Sequence, residues 1–259
     1  MLNLLRRRKP LAVTPERPAI PTGKRAYAIG DVHGRLDLLE QLVETIAADD
    51  AAREPAETHL ILLGDLIDRG PQSRGVLDFL MTPPDFAHEL VLLRGNHEQF
   101  LIDVLASPRD VWGGWLQHGG RQTLASYGVP ERLAMGDPQR FGRALADAIP
   151  VSHLKMIEQM KLSYSMGDYL FVHAGVRPGV PLDRQSTRDL LTIRDEFLRS
   201  ERDHGAVVVH GHSIIESVEE LPNRIGLDTG AYRSGKLSAL VLEGETRHFL
   251  SVQIAGPDD

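Results

Sequence analysis

Ile61-Leu62-Leu63-Gly64-Asp65-Leu66-Ile67-Asp68-Arg69-Gly70-Pro71 is an apolar run that breaks into two carboxylates, an arginine and a Gly-Pro turn. Leucine and isoleucine fill the run without alternation and a turn signal ends it, so it reads as a buried strand. Asp65 then falls just past the strand end. In an open α/β sheet that edge is where ligands bind. Alone, Asp65 would read as a turn former, but four other stretches repeat its design.

Upstream, residues 25–29 read as a strand ending at Gly30-Asp31-Val32-His33-Gly34, with Leu36, Leu39, Leu42, Val43 and Ile46 following at helical spacing. Residues 60–63 form the second strand and 73–81 a helix. Residues 90–93 form a third strand, ending at Arg94-Gly95-Asn96-His97-Glu98 before helical positions Phe100, Leu101, Val104 and Leu105. Three strand–loop–helix units in a row predict a parallel or mixed sheet. Residues 107–163 interrupt the rhythm with a mostly helical insertion that carries both tryptophans and Gly119-Gly120, and such an insertion is expected to form a cap. Residues 169–172, 206–209, 224–227, 237–242 and 248–252 read as further strands. No helix separates the last three, which predicts an antiparallel second sheet packed face to face on the first. The expected class is α/β: a β-sandwich of two mixed sheets flanked by helices, with a helical cap insertion.

The 259 residues suit a single domain at 25–259, preceded by a flexible, basic and Pro-rich tail at 1–24. A hydrophobic share of 42% and a charged share of 25% exclude disorder over most of the length. The net charge of −7 argues against a nucleic-acid footprint, since phosphate backbones are held by clustered Lys and Arg. With no cysteine, disulfides, thiolate metal sites and thiol nucleophiles are impossible, which fits the cytoplasm. The opening Met1-Leu2-Asn3-Leu4-Leu5-Arg6-Arg7-Arg8-Lys9-Pro10 lacks an apolar run behind its charges and makes a poor signal peptide. No stretch reaches the roughly 20 apolar residues of a membrane span. The tail is expected to be a solvated terminus with at most weak peripheral contact at an anionic membrane surface.

Five strand ends thus deliver Asp31 and His33, Asp65 and Asp68, Asn96 and His97, His173, and the pair His210 and His212. Carboxylate, imidazole and amide oxygen suit Mn, Fe or Zn. Two ions sharing Asp65 would account for so many ligands, and a pair of metals clamps phosphorus for in-line attack. His210 and His212 share a strand face only if the strand runs through both.

These residues resemble the calcineurin-like metallophosphoesterases, and within them the phosphoprotein phosphatase family that includes the phage lambda phosphatase and its bacterial relatives. The matching segments are Gly30–Gly34, Gly64–Gly70, Arg94–Glu98, His173-Ala174-Gly175 and Gly211-His212-Ser213, in the family's order. The resemblance implies two divalent ions, Mn²⁺ first and Fe or Zn as alternatives. It implies Asp31, His33 and Asp65 on one ion, and Asp65, Asn96, His173 and His212 on the other. It further implies His97 as general acid oriented by Asp68, phosphate held by Arg69, Arg94 and Arg194, and His210 in a supporting position behind the ligands. His118 is weighed as a residue facing the site from the cap, against an exposed helix-end histidine.

The expected activity is hydrolysis of phosphate monoesters, phosphoserine and phosphothreonine in proteins above all, by direct attack of metal-bound hydroxide. The partner is then a phosphoprotein or small phosphoester. The rival enzyme is the symmetrical diadenosine tetraphosphate hydrolase, a family that usually carries Ala where this chain has Asp68. A non-catalytic binding module would be expected to have lost ligands, and none is lost.

Overall fold

The computed structural model describes residues 13–254. The quoted run is strand β2 (Glu57–Leu62), and it is parallel to β1 (Lys24–Ile29) on one side and to β3 (Glu89–Leu92) on the other. Helices α1 (Leu36–Ala51), α2 (Ser73–Leu80) and α3 (Asn96–Ala106) follow the three strands in turn. The unbroken apolar run now has a cause: the strands are covered on both faces. Leu60 and Leu62 pack with α1 and α2 residues such as Leu39 and Leu77, while Ile61 and Leu63 face Phe171, Val207 and Val209 across the sandwich.

The remaining helices are α4 (Pro108–Trp115), α5 (Arg121–Ser126), α6 (Pro138–Ala148), α7 (Val151–Gln159), α8 (Thr187–Thr192), α9 (Asp195–Leu198) and α10 (Ala231–Ser234). The second sheet is β4 (Ser163–Met166), β5 (Tyr169–Val172), β6 (Val207–His210), β8 (Arg224–Gly226) and β7 (Glu219–Leu221), in that spatial order. β5, β6 and β8 are parallel, and β4 and β7 are antiparallel edges. Val172 and Val208 face outward onto Phe197 of α9, so the layers run helix, sheet, sheet, helix.

Two expectations need correction. The strands at 237–242 and 248–252, which are β9 (Lys236–Glu243) and β10 (Thr246–Gln253), do not form an antiparallel second sheet with 224–227. They return to the first sheet, β9 antiparallel to β1 and β10 outermost, while β8 joins the other sheet beside β6. Which sheet receives a pair of adjacent strands depends on distant edges, and β9 is buried along most of its length between β10 and β1. The tail is the second correction. From Thr14 it lies on the domain: Thr14 donates to Asp203, Ala19 N–H donates to Asp168 at 3.0 Å, and Ile20 is buried in the sandwich core. The basic leucine-containing start lies outside the described residues.

The insertion between α3 and β4 is helical throughout α4 to α7, and its buried Trp115, Leu124, Phe141, Leu145 and Ile157 join the same apolar cluster as α1 and α2. No helix among the described residues is long and apolar enough to cross a membrane.

Candidate metal centre

Parallel strands place their C-terminal ends on one rim, and in both sheets those ends carry the chemistry. Asp31 and His33 follow β1, Asp65 and Asp68 follow β2, Asn96 and His97 open α3 after β3, His173 follows β5 and His212 follows β6. Among the described residues, the non-glycine positions with positive φ are His33, Asp65, Asp68, Arg69 and His212. Each costs strain that the surrounding structure must hold, and all five are candidate site residues.

Glu98 does part of that holding. Its fully buried carboxylate accepts the N–H groups of Asp65 (2.9 Å), Leu66 (2.8 Å), Ile67 (3.2 Å) and Gly95 (2.8 Å), so the loop after β2 is fixed to the start of α3. Burial, with the negative charge of Asp65 adding, pushes Glu98 up to about 7. Gly95 is glycine because a Cβ there would lie 2.1 Å from Asp65 Oδ1. Glu98 carried no role in the sequence reading, although its place three residues past Gly95 is the capping-box signal.

Two groups of ligand atoms among the described residues lie within 4.8 Å of one another: His33, Asp65 and His97, and Asp65, His173 and His212. Asp65 is common to both. His33 Nδ1 donates to the Ile67 carbonyl at 2.9 Å and His173 Nδ1 to that of Leu63 at 3.0 Å, which leaves each Nε2 as a lone pair. His173 Nε2 then faces Asn96 Oδ1 at 3.0 Å and Asp65 Oδ1 at 3.4 Å, acceptors meeting acceptors. His33 Nε2 and His212 Nε2 are buried without a hydrogen-bond partner. Such convergence is unfavourable until a cation sits among the atoms, so the donor set fits divalent metal.

The electrostatics agree. Burial depresses His33 to about 3 and, with His173 adding, His212 to about 2, so both rings are neutral ligands. Asp31 is pushed well above the usual carboxylate range by burial and by Asp228 and Asp65. For Asp65 burial acts upward, but the surrounding imidazoles and the His97 N–H that it accepts hold it far below that range. Asp228, in the turn after β8, was missed by sequence reasoning. It is buried beside Asp31 with Oδ2 unpartnered, and burial raises it to about 6.

His97 adjoins the carboxylates of Asp65 and Asp68. Its Nδ1 donates to Asp68 Oδ2 at 2.7 Å, and its Nε2 lies 3.0 Å from Arg69 Nη2 and 3.8 Å from Asp65 Oδ2. Burial opposes its charge, but Asp65 and Asp68 prevail and raise its pKa above the ordinary value. Half-buried Arg69 has its guanidinium 4.9 Å from the centre of the Tyr232 ring, which itself packs edge-on against His33. Arg194 is exposed at the start of α9, and burial first, with its charge adding, keeps His173 and His212 neutral.

The remaining candidates are Arg94, His210 and His118. Arg94 points its guanidinium at the end of α7, donating to the carbonyls of Ile157 (3.3 Å) and Glu158 (2.7 Å) and to Gln99. Two of these bonds go to helix-end carbonyls while its buried Nε has no hydrogen-bond partner, so Arg94 is expected to act in stability rather than in phosphate binding. Arg94→Met should cost about 1–2 kcal/mol in stability and leave KM unchanged; a raised KM with an unaltered melting curve would return it to the site. His210 ends its strand, bonds the Gly211 carbonyl at 3.1 Å and packs edge-on against Phe197, with its Nε2 buried and without a hydrogen-bond partner. The strand stops before His212, which is why the two rings part. His118 is exposed and caps the Gly114 carbonyl.

A helix-flanked double sheet that gathers carboxylates, imidazoles and an amide on one rim is the frame of a metal-dependent phosphoester hydrolase. The chain belongs to the calcineurin-like phosphoesterase family, whose model matches residues 24–237. It is 31% identical over 165 residues to a symmetrical bis(5'-nucleosyl)-tetraphosphatase of Pseudomonas syringae, covering 55% of this chain and 53% of the relative. It is 34% identical over 97 residues to serine/threonine-protein phosphatase 1 of Salmonella typhimurium, covering 38% and 39%. These matches span about half or less of the relatives' lengths. In structure the chain is similar to a candidate diadenosine tetraphosphatase, with a TM-score of 0.60, 21% identity and coverage of 95% of this chain and 98% of that one.

Proposed function

We propose that the chain hydrolyses phosphate monoesters, with phosphoserine and phosphothreonine side chains as the preferred class. The observation that carries this reading is the Asp68–His97 pair at 2.7 Å. An alkoxide leaving from serine or threonine needs a proton as the ester bond breaks, whereas a nucleoside diphosphate leaves stably without one. A buried imidazole whose proton affinity is raised by a carboxylate is therefore useful to the first reaction and dispensable to the second.

Asp31, His33 and Asp65 would hold one divalent ion, and Asp65, Asn96, His173 and His212 the other, with Mn²⁺ as the preferred metal. When bound, the ions supply the Lewis acidity that neutralises phosphate oxygens and acidifies water. Arg69, half-buried between His97 and Tyr232, would bind a phosphate oxygen through its planar guanidinium, and Arg194 would reach the substrate from the opposite lip. His97 Nε2 would give its proton to the leaving oxygen while Nδ1 stays bonded to Asp68. Glu98 would keep the Asp65 loop rigid throughout. The similarity to nucleosyl-tetraphosphatases favours a second reading, hydrolysis of a dinucleoside tetraphosphate. A panel of phosphoseryl and phosphothreonyl peptides, p-nitrophenyl phosphate and diadenosine tetraphosphate in Mn²⁺ separates them. The highest kcat/KM is expected on the phosphopeptides, and a preference of tenfold or more for the dinucleotide would overturn the monoester assignment.

A further inference from the structure

The insertion does more than cover the rim. Trp115 at the end of α4, Gly119 in a π-helical turn at Leu116–Gly120 that kinks at Gly119 itself, and Thr123 in α5 together meet Asp68 and Arg69. Trp115 Nε1 donates to Asp68 Oδ2 at 2.9 Å, the same oxygen that receives His97 Nδ1. The Thr123 hydroxyl donates to Asp68 Oδ1 at 2.5 Å, and the Asp68 N–H donates back to Thr123 Oγ1 and to Ser73 Oγ, each at 3.0 Å. The Gly119 carbonyl accepts the Arg69 N–H at 3.1 Å. Gly119 has φ +110, and a Cβ there would lie 2.6 Å from Arg69 N, so the chain can approach this closely only as glycine.

Asp68, Trp115 and Thr123 are each wholly buried. In that setting no water can replace a missing donor, and the plane of the Asp68 carboxylate is set by the protein groups around it. His97 alone would leave that carboxylate free to turn about its Cβ–Cγ bond. Donors on both oxygens, one from α4 and one from α5, remove that freedom. We propose that Trp115 and Thr123 are positioning residues for proton transfer: they fix the Asp68 carboxylate so that His97 is aimed at the leaving oxygen. The insertion thereby becomes a working part of the acid, and displacement of α4 or α5 by a substrate would be felt at His97. This rests on the reading of His97 as general acid.

The test uses the Mn²⁺-loaded full chain and two generic aryl substrates, so it does not depend on the physiological one. Phenyl phosphate has a poor leaving group and p-nitrophenyl phosphate a good one. Thr123→Val keeps the shape and removes the hydroxyl, Thr123→Ser keeps the hydroxyl, and Trp115→Phe removes the indole N–H while leaving an aromatic ring. The expected result for Thr123→Val and Trp115→Phe is a fall of about tenfold in kcat on phenyl phosphate and about threefold or less on p-nitrophenyl phosphate. KM and metal content should be unchanged, and Thr123→Ser should restore the phenyl phosphate rate. A structural loss would lower both substrates together, and Thr123→Ser guards against a variant that fails to fold. If His97→Asn shows the leaving-group asymmetry but Thr123→Val and Trp115→Phe lose both substrates equally, or neither, the positioning role is wrong while the acid stands. If His97→Asn shows no asymmetry, the acid reading falls and takes this inference with it.

Discussion

His97→Asn should reduce kcat on phosphoserine by about 10²–10⁴-fold, the usual contribution of a general acid, and reduce p-nitrophenyl phosphate turnover far less. The reason lies in the leaving groups. Serine departs as an alkoxide that is far more basic than water and must be protonated as the bond breaks, whereas nitrophenolate is stable as it leaves. Asparagine preserves the amide N–H of residue 97 that donates to Asp65 Oδ1 at 3.0 Å, so the loop and its metal affinity should survive. Asp68→Asn should give the same pattern more weakly, since it removes the carboxylate that raises the proton affinity of the ring and leaves the proton donor in place. Equal losses on both substrates with metal retained would mean that His97 positions phosphate or water.

Asp65→Asn should lower metal content below two ions per chain and reduce turnover by more than the roughly 10–100-fold that loss of a supporting partner costs a metal site. Asp65 stands among three imidazoles, with His173 at 3.4 Å, His33 at 3.5 Å and His97 at 3.8 Å, so one substitution weakens both clusters. The fold should persist. Asn can still accept the His97 N–H, and the residue lies on the rim rather than in either core cluster. Metal analysis alongside a melting curve decides the matter: two ions per chain with near-normal turnover would remove Asp65 from its shared role.

The sequence made the rim legible because each ligand-bearing loop is local, a buried strand followed at once by turn residues and a helix. Asp31, Asp65 and His97 could each be placed from fewer than fifteen neighbouring residues. What escaped was non-local. Trp115 and Thr123 reach Asp68 across 47 and 55 positions, and no periodicity marks a contact of that separation. Arg94 sits in a motif and reads as a phosphate ligand, yet its guanidinium finds the end of α7 more than sixty residues on. Asp228 belongs to none of the motifs, and only the fold sets it against Asp31. The placement of β9 and β10 failed for the same reason, since pairing partners are chosen across the whole chain.

The rim draws Asp31, His33, Asp65 and Asn96 from one sheet and His173 and His212 from the other. Any cation held there is a cross-brace between two layers that are otherwise joined mainly by apolar contact. Bracing of this kind ties durability to supply, because the stabilisation grows with the logarithm of free ion over its dissociation constant, about 2.7 kcal/mol at a hundredfold excess. The lifetime of the molecule, as well as its turnover, would then follow the availability of metal.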